Sequence, residues 1–156
     1  MTNNMQAEET VTTSPPWQGF HHIALVTPDL EATIHFYQDV LGMQVGQIHP
    51  ARDGNGRHCF IKPGASKTWG LHFFEQPDAQ LFPYPETLAR FTFIPGALQH
   101  IAFALPDEAA ALTLRERLQA HGVPLTGINE LGLVRNTLFL DNNGMPLEAA
   151  WPASRI

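Results

Sequence analysis

The sequence predicts an α+β fold of two tandem βαβββ modules whose strands form a curved mixed sheet around a cleft. Three observations carry this. "GFHHIALVTPDL" at 19–30 returns as "ALQHIAFALPDE" at 97–108, with His22 over His100, Pro28 over Pro106 and Asp29 over Asp107. Each copy runs into a helical pattern closed by glycine. Three stretches of strand character follow each helix.

Residues 1–18 are polar and read as a flexible tail. The first module is expected over 19–75. Its opening strand alternates His22, Ala24 and Val26 with Ile23 and Leu25, so the two sets occupy opposite faces. In "LEATIHFYQDVLG", Ile34, Tyr37, Val40 and Leu41 recur at helical spacing. Asp29 is suited to accept from the free N–H groups of the first turn, and Gly42 suits the left-handed position past the last. "MQVGQIH", "RHCFIKP" and "WGLHFFEQ" are the three following strands. Residues 76–96 form a Pro-rich connector, too apolar to hang free. The second module, 97–152, repeats the plan with Asp107 and Gly122 as caps, and "DNNG" at 141–144 marks its final hairpin. The whole reads as one domain over 19–152.

Composition narrows the function. Net charge is -6 without a run of Lys or Arg, which argues against a nucleic-acid partner. No apolar run reaches the roughly 20 residues of a membrane span. The N-terminus lacks the basic-then-apolar order of a signal peptide, and Cys59 is alone. A cytoplasmic location is expected.

The opening strands place a histidine and then small residues on one face, opposite large apolar ones. A filled core does not favour such a face; a cavity that holds something does. The last strands match as well, once a two-residue change in spacing is allowed: "GLHFF" (70–74) lies over "PLEAA" (146–150), pairing His72 with Glu148. A lone strand histidine is more often a hydrogen-bonded core residue than a ligand. Four ligand-type residues at matched positions, His22, His72, His100 and Glu148, favour a metal. Imidazoles with one carboxylate suit Fe, Zn, Ni, Co or Mn. His21, His35, His49, His58 and His121 have no such match. His35 and His121 read as helix-surface residues, and His58 as a strand residue with no required role.

At these residues the chain resembles the vicinal oxygen chelate superfamily, which includes glyoxalase I, bleomycin-resistance proteins, methylmalonyl-CoA epimerase and extradiol dioxygenases. "HHIALVTPDLEATIHFYQDVLGM" and "LFLDNNGMPLEAAW" carry the resemblance over Gly19 to Trp151. It implies a glyoxalase-like fold and one divalent metal ion held by His22, His72, His100 and Glu148. His72 stands where glyoxalase I has Glu and the epimerase has Gln. Val26 stands where glyoxalase I has an Arg that holds glutathione.

Four protein ligands on an octahedral ion leave two positions, enough for a small substrate with adjacent oxygens and for Lewis-acid chemistry of the isomerase, lyase or epimerase kind. His72 and Glu148 are the candidate proton carriers. Trp69, Phe74, Arg135 and Phe139 are candidate substrate-binding residues, each with a core or surface reading beside it. Two alternatives stay open: a ring-cleaving Fe(II) dioxygenase with His72 off the metal, and a metal-free protein that sequesters a drug. A homodimer is expected, with the apolar connector covering the partner. Whether modules pair within or between chains is left open.

Overall fold

In a computed structural model of the chain, the described residues are 19–52, 54–65, 70–81 and 95–153. The tail, the centre of the connector and Trp69 lie outside them. The elements are β1 (His22–Thr27), α1 (Leu30–Ile34) running on as a π-helical segment (His35–Val40), and β2 (Gln44–Val45). Then come β3 (His49–Pro50), β4 (Arg57–Lys62) and β5 (Gly70–Glu75). The second half contains β6 (Ile101–Ala104), α2 (Glu108–Ala120), β7 (Asn129–Glu130), β8 (Val134–Leu140) and β9 (Pro146–Pro152).

The strands form two mixed sheets. The first has the order β1-β5-β4-β2, with β3 also paired to β4; the second is β6-β9-β8-β7. Each opening strand runs parallel to the last strand of its module and lies at a sheet edge. Two expected strands shrink. "MQVGQIH" splits into β2 and β3, because Gly46 interrupts the run and still donates its N–H to Phe60 O. In "VPLTGINE" only Asn129–Glu130 pairs as a strand, while Leu125 makes one isolated bridge to Phe139.

Both helices begin as their sequences require. Asp29 and Asp107 each accept from the backbone N–H three residues on, from Ala32 and Ala110. Past the helix ends, Gly42 and Gly122 take φ of 73° and 69°, which a side chain would strain.

The modules share one core. Leu30, Phe36, Tyr37, Leu71 and Phe73 from the first pack in one cluster with Ile101, Leu118, Phe139, Leu147 and Ala149 from the second. Polar contacts lock the seam. The Tyr37 hydroxyl donates to Asp141 Oδ2 at 2.9 Å, in a buried setting. Arg117 of α2 donates to Val40 O and Asp39 O, satisfying carbonyls left free at the end of the first helix. Asn142 of the β8–β9 turn donates to Thr33 Oγ1. Among the described residues no helix is long and apolar enough to cross a membrane.

Burial raises the Tyr37 phenol and the Asp141 carboxyl, so their shared hydrogen bond offsets an otherwise costly burial. Tyr37→Phe should lower stability by about 1–3 kcal/mol, read as a urea midpoint shift at unchanged slope. On the neighbouring strands β4 and β5, Arg57 binds Glu75 through two nitrogens, and this hydrogen bonding, more than any other cause, holds Glu75 below the ordinary carboxylate range. A carboxylate with a depressed folded-state pKa stabilises the fold above its unfolded value of about 4.3. That stabilisation is lost as pH falls through the folded value. Arg57→Met should therefore lower stability at neutral pH by on the order of 1 kcal/mol, allowing for solvent screening. Melting temperatures followed down to pH 3 should show wild type and variant converging.

Candidate metal centre

Strand alternation turns one face of each sheet towards the shared core and the other away from it. In the first sheet Ile23, Leu71, Phe73, Cys59 and Ile61 face the core. The opposite face carries His22 and Ala24 of β1, His72 and Phe74 of β5, and His58 and Phe60 of β4. Ala24 lies opposite His72, and His72 opposite Phe60. The His22 ring stands 5.5 Å from that of His72, centroid to centroid. Phe60 stacks on His72 at 3.9 Å and Phe74 approaches at 4.1 Å. His72 is consequently buried, at 9 % exposure. Burial above all, then the nearby His58 and His22, lowers its pKa, so the ring is neutral near pH 7.

The second sheet repeats the arrangement with different chemistry. Ala102 lies opposite Glu148, and Glu148 opposite Leu138. His100, just before β6, sets Nε2 3.0 Å from Glu148 Oε2. Its Nδ1 is 2.8 Å from Gln99 Oε1, so the two ring nitrogens face different partners. Two ligands at right angles on an ion, each at about 2.1 Å, are separated by about 3.0 Å. The His100–Glu148 contact has the length of a hydrogen-bonded ion pair, and its donor types are also those of divalent-metal ligands. The cavity beside this pair measures about 650 Å³, and Asn129, Glu130, Asn136 and Leu138 also line it.

The four sequence-matched residues are therefore gathered as two pairs, His22 with His72 and His100 with Glu148, on separate sheets. Among the described residues no three or more His, Cys, Asp or Glu side chains are gathered within one chain to hold a metal. Phe74 lines the first face. Phe139 lies opposite Leu147 on the core side of β8, at 1 % exposure. Arg135 is paired with Glu108 and Glu130. Trp69 is outside the described residues.

Two further residues belong to these faces. His58 Nδ1 shares a hydrogen bond with His72 Nε2 at 2.9 Å. The Asn136 amide donates to Glu148 Oε1 at 2.8 Å and accepts from Asn129. They occupy equivalent places: His58 lies opposite Phe74 and Asn136 opposite Ala150, and Phe74 and Ala150 match in the repeat. The offset that lays His22 over His100 also lays His58 over Asn136. Each module thus holds its last-strand polar residue with a neighbour from the adjacent strand. The sequence contained this signal, but unlike residue types hid it.

Comparison with known proteins then decides the lineage. The sequence profile of the Glyoxalase/Bleomycin resistance protein/Dioxygenase superfamily matches residues 19–148. The chain belongs to that superfamily. Mitochondrial methylmalonyl-CoA epimerase from Mus musculus is 38% identical over 61 residues, which are 38% of this chain and 34% of the epimerase. That match thus spans about a third of the curated relative. Among solved structures, a superfamily domain from Frankia sp. EAN1pec superposes with TM-score 0.72 at 19% identity, covering 88% of this chain and 99% of that one. A mutant of the fosfomycin resistance protein FosX from Listeria monocytogenes, complexed with Mn(II) and 1S,2S-dihydroxypropylphosphonic acid, superposes at 0.62 with 20% identity, covering 85% of this chain and 91% of that one. Likeness at such identities is likeness of fold.

Removing the Asn136 amide tests the second module's arrangement. Asn136→Leu leaves Glu148 Oε1 without its donor and should cost about 1–3 kcal/mol, with the cavity otherwise preserved. Denaturant unfolding of the purified variant reads it; an unchanged midpoint would show that this hydrogen bond does not order Glu148.

Proposed function

We propose that this protein is a metal-dependent enzyme in which His22, His72, His100 and Glu148 hold one divalent ion. Fe, Zn, Ni, Co and Mn all suit this mixed nitrogen and oxygen set. The observation that carries the reading is the His100–Glu148 pair: a half-buried carboxylate oxygen and an imidazole nitrogen 3.0 Å apart, close enough to share one ion. The solved FosX complex with Mn(II) shows that this fold can house such an ion. Bound there, the ion supplies Lewis-acid stabilisation of the negative charge that develops on a small substrate with adjacent oxygens.

The chain's own residues do the rest. His72, walled in by Phe60 and Phe74, is neutral and keeps water from its flanks. Only off the ion would this ring have a free lone pair for a proton taken from a carbon beside a carbonyl, which its hydrogen bond to His58 would then pass on. Glu148 is the second candidate carrier, with Asn136 fixing one oxygen and leaving the other towards His100. The reaction class is a proton transfer of the isomerase, lyase or epimerase kind.

Both pairs sit on faces turned away from the shared core, so one chain's His22 and His72 are completed by the partner's second module in a homodimer. A two-fold dimer of this kind has two composite sites. Mixing decides it. His22→Ala and Glu148→Gln chains should each bind metal at least about 100-fold more weakly than wild type. Refolded together, they should recover about a quarter of the wild-type sites, because half the dimers hold one intact site. Elemental analysis of the anaerobically purified mixture reads this. No recovery would mean that the modules close within one chain. Wild type that takes up no divalent metal would remove the enzyme reading and leave a small-molecule binder.

A further inference from the structure

A cavity of about 520 Å³ opens beside His72 on the face of the first sheet. Its lining is Ala51, Arg52, His58, His72, Phe74 and Gln76. That volume is in the range of small-molecule sites. Its chemistry is unusual for this molecule. The chain is acidic, at -6, yet among the described residues this cavity is lined by a guanidinium, two imidazoles and an amide, and by no carboxylate.

The state of Arg52 sharpens the point. The other described arginines are all engaged. Arg57 binds Glu31 and Glu75, and Arg135 binds Glu108 and Glu130. Arg115 donates to Thr126 O and Thr137 Oγ1, and Arg117 to Val40 O and Asp39 O. The Arg52 side chain makes no ion pair or hydrogen bond with any described residue. It stands on the turn between β3 and β4, which backbone hydrogen bonds from Ala51 N to Gly56 O and from Gly54 N to Ala51 O hold closed. A planar guanidinium on a closed turn, lining the same cavity as the stacked rings of His58 and Phe74, is suited to two-point recognition of an oxyanion.

We propose that this cavity is the subsite for a negatively charged head group, and that the substrate is a small organic oxyanion whose charge rests on Arg52 while its reacting carbon lies towards His72. Gln76 adds a side-chain amide N–H at the same wall. As a statement about substrate this rests on the metal-enzyme reading above; as a statement about binding it does not. A carboxylate and a phosphonate share the required chemistry.

The test uses the full chain, stripped of metal with a chelator and held at neutral pH, with histidine ring resonances followed by NMR. Propionate and methylphosphonate are titrated as probes, with 1-propanol as the uncharged control. The expected result is saturable shifts of the His58 and His72 rings with at least one anion, and none with propanol. The tighter anion names the head group. Arg52→Gln should weaken that binding at least about 10-fold, with Arg52→Lys between the two. Arg52 has no hydrogen bond or ion pair to lose within the described fold, so both variants are expected to fold, and an unchanged amide spectrum checks this. Equal shifts from propanol, or equal affinity in Arg52→Gln, would overturn the proposal. Anion binding by a chain that takes up no metal would uphold the subsite and remove the enzyme reading.

Discussion

Two sheets are obliged to share a single core, and the placement of every polar group of interest follows from that. Leu71 and Phe73 of β5 meet Leu147 and Ala149 of β9 in one buried cluster. Because strand side chains alternate, committing these residues inward sends His72 and Glu148 to the opposite faces. Neither residue can turn inward without a register slip that would expose the apolar set. The Tyr37–Asp141 hydrogen bond and the Arg117 contacts to the first helix hold the two halves in this relation.

The two outward faces are alike in layout and unlike in charge. One presents His22, His58 and His72 with Arg52 nearby; the other presents Glu148 and Glu130 with the amides of Asn129 and Asn136. Each supplies a histidine at the start of its opening strand, His22 in β1 and His100 just before β6, and a last-strand polar residue. The two-fold pairing of chains proposed above would bring unlike faces together, a favourable electrostatic match that like-with-like pairing would not give.

Much of this was legible in the sequence. The repeat showed the modules, Asp29 and Asp107 fixed both helix starts, and alternation in "HIALV" and "HIAFA" identified the face carrying His22 and His100. Interruptions were harder to see. Gly46 breaks β2 from β3 while keeping its hydrogen bond to β4, so the apolar pattern ran on past the break. His58 was passed over because its counterpart is Asn136, and equivalence there lies in the hydrogen bond each makes rather than in residue type. The phase of Phe139, a candidate substrate-binding residue in the sequence, is set by pairing with β9, which the sequence does not display; in the fold it lies opposite Leu147.

The first helix changes to wider π-type turns over His35–Val40, where Leu41 N reaches back to Phe36 O. Such a turn holds one more residue than an α-helical one. Losing a single residue here would let the turn close at α-helical pitch, with Leu41 and the Gly42 cap still in phase. The same loss in α2, which holds no such surplus, would turn all that follows by about 100°. Chain length is consequently under tighter restraint in the second helix than in the first.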